Sequence, residues 1–178
     1  MWKKTAIGIV LGALVVAFAF GVGTTVLTQE EEVPTIPGIT VEDDHPNGCV
    51  NCHRERPDIG RDFRLSTYIE EWATEGTPEE ILELAQAAWP EASLSGKHPN
   101  VAEMTATREL PTACMTCHSE EGDKPLSSYL HLQHFAGGAE NHFVTLYGGY
   151  CTQCHSVDLN LEEPPAGGIG IKTGKEGE

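Results

Sequence analysis

All six cysteines of this 178-residue chain lie in pairs of one spacing, and a histidine directly follows each pair. The three stretches are Cys49-Val50-Asn51-Cys52-His53, Cys114-Met115-Thr116-Cys117-His118 and Cys151-Thr152-Gln153-Cys154-His155. Two thiols at this spacing can bind zinc, act as a redox pair, form a disulfide or attach a porphyrin. The histidine after every pair adds a nitrogen ligand beside the two sulfur atoms.

The repeated pattern favours haem attachment over the other three chemistries. Closed zinc sites take four ligands, and six cysteines divide poorly into such sets. A thioredoxin-like pair belongs to a βαβ pattern that this sequence does not show, and a disulfide within C-x-x-C is strained. In C-x-x-C-H, two thioethers hold the edge of the porphyrin and the imidazole lies beneath the iron. The sequence therefore predicts three covalently bound haems (haem c), with His53, His118 and His155 as iron ligands.

Five further histidines are candidates for the sixth iron position, which decides the function. A protein ligand there gives an electron carrier, whereas an open position permits small-molecule binding or catalysis. Our order of preference is His98 and His142, then His134 and His131, and last His45. His45 lies only four residues before Cys49, too close to reach the haem attached there easily, though it could serve another haem. Three irons need at most three of these side chains, so the spare histidines favour electron transfer over catalysis.

The chain begins with a basic and then an apolar stretch. Lys3 and Lys4 precede the 23 uncharged residues from Thr5 to Leu27, enough for one transmembrane helix. We expect residues 1–27 to be an uncleaved anchor in a membrane, with the N-terminus in the cytoplasm. A cleaved signal peptide ending at Ala17-Phe18-Ala19 is the alternative. Both place the cysteines in the periplasm or outside the cell, where c-type haem is attached.

For the sequence after residue 27, we predict an acidic linker over 28–44, a trihaem domain over 45–160 and a flexible, glycine-rich tail over 161–178. Helical patterns within the domain cover Thr67 to Glu75, Thr77 (N-cap) to Pro90, Leu126 to Phe135 and Ala139 to Tyr147. Leu, Ile, Val and Phe are too scarce for a sizeable core made of protein alone. The predicted fold class is therefore mainly α with long loops, packed around haem, on a single N-terminal transmembrane helix.

The formal net charge of −16 limits the choice of partners. A surface of this sign repels the phosphate backbone, so we expect no nucleic-acid partner. A redox protein with a basic docking face is the better match.

The three motifs and the N-terminal segment resemble multihaem c-type cytochromes, above all the membrane-anchored subunits of quinol-linked respiratory complexes. The resemblance covers three five-residue motifs and the overall layout, and the tetrahaem quinol dehydrogenases carry one motif more. It implies a subunit that is not itself an enzyme and relays electrons between a membrane-bound redox complex and a periplasmic or extracellular acceptor, which could be a soluble carrier. A multihaem reductase with one open haem and a subunit of a haem-wired filament are the alternatives.

Overall fold

The computed structural model describes residues 34–159 and 168–177. Short helices joined by turns make up most of these two ranges. The α-helices there are α1 (Cys49–Cys52), α2 (Leu65–Thr74), α3 (Glu79–Ala88), α4 (Ala102–Thr107), α5 (Thr112–Met115), α6 (Leu126–Phe135) and α7 (His142–Tyr147). Single 3-10 turns cover Gly138–Glu140 and Cys151–Gln153.

Two small antiparallel sheets correct the predicted fold class of helices and long loops. Strand β1 (Glu55–Arg56) pairs with β2 (Arg61–Asp62), and β3 (His155–Val157) pairs with β4 (Ile169–Ile171). Strands of two or three residues are too short to show an alternating apolar pattern, which is why the sequence did not reveal them.

The predicted transmembrane helix is not among the elements that the structure describes. Among residues 34–159 and 168–177, no helix is long and apolar enough to cross a bilayer. The predicted anchor, residues 1–27, lies outside the described residues. The described chain is thus a small helical structure with short strands.

The longer helices match the sequence patterns well. α6 has the predicted bounds, and α2 begins two residues earlier than expected. α3 begins at Glu79 because Pro78 has an extended backbone, so the capping box predicted at Thr77 is wrong. The last predicted helix is divided into the 3-10 turn at Gly138–Glu140 and α7.

The protein core is small. Its buried apolar side chains in the described residues are Val50, Ala85, Trp89, Leu110, Ala113 and Phe143. Val50, Leu110 and Ala113 form one cluster, which joins the first cysteine motif to the approach of the second. Many large apolar side chains remain exposed, among them Leu146, Ile169 and Ile171.

The end of the predicted linker and the described part of the predicted tail are both ordered. Residues 36–41 form a hydrogen-bonded turn, and Asp43 pairs with Lys172. Residues 169–171 form strand β4, which differs from the flexible tail that the sequence suggested. The tail is glycine-rich, which suggests flexibility. The residues that order it lie far away in the sequence, so no local sequence pattern predicts its structure.

The Asp62 carboxylate accepts hydrogen bonds from residues at the start of α2, so we predict that its contribution to stability depends on pH. Its carboxylate accepts hydrogen bonds from Arg64 N–H, the Arg64 guanidinium and Thr67 Oγ1 at 2.6–3.0 Å. The bond from Arg64 lowers the pKa of Asp62 well below its usual range, against the opposing effect of burial. A depressed pKa means that the carboxylate stabilises the fold above about pH 4 and loses this effect as the pH falls.

We expect Asp62→Ala to lower the free energy of unfolding by about 1 kcal/mol at pH 7, and by less at pH 3. Urea unfolding at the two pH values measures the difference. Asp58→Ala is the matched control, because Asp58 forms an ion pair with Arg56 on the exposed β1–β2 turn. Equal losses at both pH values for Asp62→Ala would contradict this role.

Candidate haem-binding site

Each cysteine motif lies on a single helical turn. The first occupies α1, the second begins on α5, and the third begins on the 3-10 turn at Cys151–Gln153. His53 N–H donates to Cys49 O (2.8 Å), and His118 N–H donates to Cys114 O (3.0 Å). Side chains three positions apart lie on one face of such a turn, so both thiols of a motif point to the same side.

All six cysteines are free of disulfides. Burial, together with the nearby thiols of Cys154 and Cys114, raises the pKa of Cys49 to about 12. Burial likewise raises the pKa of Cys154, and the neighbouring Cys52 adds to this effect. A free cysteine nucleophile needs a lowered pKa, so these thiols do not suit nucleophilic catalysis. Their mutual influence also shows that the first and third motifs are neighbours.

Each motif histidine faces one histidine from outside the motifs. The ring centroids of His53 and His134 are 6.3 Å apart, those of His118 and His98 are 6.1 Å apart, and those of His155 and His131 are 6.0 Å apart. The ring planes are close to parallel in the last two pairs (25° and 21°) and perpendicular in the first (90°).

This separation fits one iron between the two rings of each pair. Two imidazoles that bind a metal from opposite sides, with bonds of about 2.0–2.1 Å, place their ring centroids roughly 6 Å apart. The spacing of the three pairs is compatible with axial coordination of an iron between the two rings.

Hydrogen bonds to backbone carbonyls fix five of the six paired rings in the tautomer that leaves Nε2 free of a proton. The acceptors are Phe63 O for His53 (3.2 Å), Lys124 O for His118 (2.9 Å), Gly170 O for His155 (3.1 Å), Pro99 O for His98 (2.8 Å) and Leu130 O for His134 (2.9 Å). A carbonyl only accepts, so the Nδ1 atom of each ring carries the proton. Nε2 is then left as the ligand atom, as in metal-bound histidines generally.

Burial keeps several of these imidazoles neutral. It lowers the pKa of His53, His98 and His134, and each carbonyl contact opposes this only in part. The neutral imidazole is the form that binds a metal.

The described residues contain no cluster of three or more His, Cys, Asp or Glu side chains able to hold a metal ion. A haem iron takes four ligands from the porphyrin and needs at most two from the protein. The paired histidines meet that need without a larger cluster.

The structure changes the order of preference among the five candidate histidines. His98 faces His118, His131 faces His155, and His134 faces His53. His142 is exposed, and its ring packs edge-on near Tyr147 of its own helix; it lies close enough to His53 to lower the pKa of that ring, but it forms no ring pair with it. His45 lies beside Lys172, to which its carbonyl oxygen is bonded at 3.2 Å. We therefore assign the distal positions to His98, His131 and His134 as a hypothesis.

Helix α6 connects the first and third histidine pairs. His131 and His134 lie three residues apart on it, so they occupy the same side of the helix. One faces the third motif and the other faces the first. Phe143 of α7 packs edge-on against His134, with centroids 5.0 Å apart, and holds this side of α6.

Trp89 connects α6 to the second pair, a role that the sequence did not reveal. Its indole lies nearly parallel to the His118 ring at a centroid distance of 5.4 Å, and tilts against Tyr129 of α6 at 5.5 Å. Trp89 Nε1 donates to Pro125 O at 3.0 Å. The only signal in the sequence was the position of Trp89 at the end of a helix, before Pro90.

No protein-family model, curated protein or solved structure matches this chain.

Proposed function

We propose that this protein is an electron carrier with three c-type haems, each held between two histidines. The cysteines would be attached as Cys49 with Cys52, Cys114 with Cys117, and Cys151 with Cys154. The axial pairs would be His53 with His134, His118 with His98, and His155 with His131. When bound, the haems supply one-electron chemistry, in which the iron alternates between the ferrous and ferric states.

The observation that carries this proposal is the presence of a second histidine opposite every motif histidine. A closed sixth position excludes small molecules from the iron, which favours electron transfer over reduction of a bound substrate. Both the open-site reductase and any ligand-binding role need at least one motif histidine without such a partner.

The shared helix α6 suits an electron relay. Because His131 and His134 are neighbours on one helix face, the first and third haems would lie close together. The pKa effects among the cysteines of these two motifs point to the same closeness. Trp89 lies between the second pair and α6, so all three centres belong to one packed unit.

We infer that the haem domain works outside the cytoplasm, where c-type haem is attached, and exchanges electrons with a membrane redox complex. Its acidic surface suits an acceptor or donor with a basic docking face. Such docking is electrostatic, so we expect the rate of electron exchange with a basic partner to fall as salt is added.

Mass spectrometry of the intact protein, after extraction with acidified acetone, tests the attachment of haem. We expect a mass that corresponds to three retained haems per chain, and two for a variant in which Cys151 and Cys154 are both alanine. Non-covalent haem is removed by this treatment, so an unmodified chain would contradict the proposal.

A further inference from the structure

The C-terminal segment, defined here as residues 168–177, contacts all three motif regions. Gly170 O accepts a hydrogen bond from the His155 ring (3.1 Å) in the third motif. Gly174 exchanges two backbone hydrogen bonds with Leu110 (2.8 and 3.1 Å), four residues before Cys114. Its Cα also lies so close to Val50 of the first motif that an added Cβ would approach Val50 Cγ2 to 2.6 Å.

Lys172 anchors this segment from the inside. Its side chain is only 7% exposed, and Nζ forms an ion pair with Asp43 at 2.5 Å. Nζ also donates to His45 O (3.2 Å) and to Thr152 O. A buried ammonium group with three oxygen partners is fully satisfied, so its removal leaves the half-buried Asp43 carboxylate without its cationic partner and two carbonyls without this donor. This arrangement fixes β4 against both the N-terminal part of the domain and the third motif.

Strand β4 also forms one side of the place where the third haem would lie. His155 is directly opposite Ile171 in the β3–β4 ladder, and Val157 is opposite Ile169. Opposed residues of an antiparallel pair project from the same face of the sheet. His155 and two isoleucines therefore share one face. Ile169 and Ile171 are 76% and 42% exposed on this face, and a porphyrin bound against it would cover both side chains.

We propose that the C-terminal segment is the positioning element of the third haem, an inference that rests on the proposed function. The Gly170 carbonyl orients the His155 imidazole, and Ile169 and Ile171 shield the proximal side of the porphyrin from water. Lys172 holds the strand in place. Residues that orient a ligand and control water near a metal set its reduction potential.

Ile169→Ser tests the shielding part of this proposal. Ile169 is highly exposed in the chain without haem, so a role as an ordinary surface residue predicts no effect. The proposal predicts that water reaches one haem more easily and stabilises its ferric form. A potentiometric titration followed by visible absorption would then show one of three midpoint potentials shifted downward, with the other two unchanged. Ile59→Ser, at an exposed isoleucine of the β1–β2 turn, is the matched control. We expect it to leave all three midpoint potentials unchanged.

Lys172→Met tests the anchoring part, with Lys172→Arg as the conservative variant and Lys175→Met as the exposed control on the same segment. We expect Lys172→Met to change the low-spin resonance of one haem in the electron paramagnetic resonance spectrum. Lys172→Arg restores that resonance at least in part, and Lys175→Met leaves the spectrum unchanged. If Lys172→Met does not fold, the Ile169→Ser titration alone decides.

The proposal is overturned if three haems are attached but Ile169→Ser shifts no single potential, or if it shifts all three equally. That result would leave the proposed electron carrier intact. Absence of covalent haem in the unaltered protein would instead overturn the proposed function, and mass spectrometry separates these two failures.

Discussion

Replacing His134 by alanine is expected to convert one of the three haems from low-spin to high-spin iron. His134 faces His53 at a centroid distance of 6.3 Å, with its Nδ1–H bonded to Leu130 O. Its loss opens the sixth position of the iron attached through Cys49 and Cys52. Carbon monoxide binds ferrous haem only where such a position is open, so the reduced variant takes up one carbon monoxide per chain and the unaltered protein takes up none.

His142→Ala is the matched control for this experiment. His142 lies eight residues after His134, in the same part of the fold, and its ring contacts Tyr147. The control keeps three low-spin haems and binds no carbon monoxide. The reverse result, with carbon monoxide bound to His142→Ala and not to His134→Ala, would show that the distal assignment is wrong.

Gly174→Ala is expected to destabilise the fold strongly. A Cβ at this position would lie 2.6 Å from Val50 Cγ2, 2.7 Å from Asn47 Cβ and 2.8 Å from Asn47 O. These atoms belong to the first motif and to the backbone before it, so neither neighbour can move aside freely. Overpacking of this kind costs about 1–3 kcal/mol. Because the C-terminal segment carries Gly170 and Lys172, we expect the third haem to be disturbed as well.

Unfolding in guanidinium chloride, followed by far-ultraviolet circular dichroism, measures this loss. Gly168→Ala is the control on the same segment, because an added Cβ at Gly168 has no neighbour within 4 Å. The control is expected to unfold at the same or a slightly higher denaturant concentration. Equal midpoints for the two variants would contradict the close packing of Gly174.

The motifs and the longer helices could be predicted from sequence because their signals are local. Each C-x-x-C-H lies within five residues, and the apolar periods of α2 and α3 extend over ten residues each. The pairing of distal histidines is a long-range property. His142 and His134 both lie on predicted helices, and only the packing of α7 against α6 decides which ring faces His53.

The structure of the C-terminal segment also depends on long-range contacts that local sequence patterns do not predict. Glycine-rich sequence without an apolar period is typical of a disordered tail. Its order comes from contacts across more than a hundred positions, such as Lys172 Nζ to His45 O and Glu176 to Ser66 at the start of α2. No feature of the sequence near Lys172 predicts its ion pair with Asp43.

Low-temperature electron paramagnetic resonance of the fully oxidised protein tests the central claim, three haems each held by two histidines. The account predicts three low-spin ferric signals per chain and no high-spin signal. Parallel imidazole planes separate the two iron orbitals that interact with the rings, whereas perpendicular planes leave them nearly equal in energy. The 90° pair, His53 with His134, is therefore expected to give the most anisotropic signal, and the pairs at 25° and 21° two more rhombic ones. A high-spin signal equal to one haem or more, or no haem signal at all, would contradict the account.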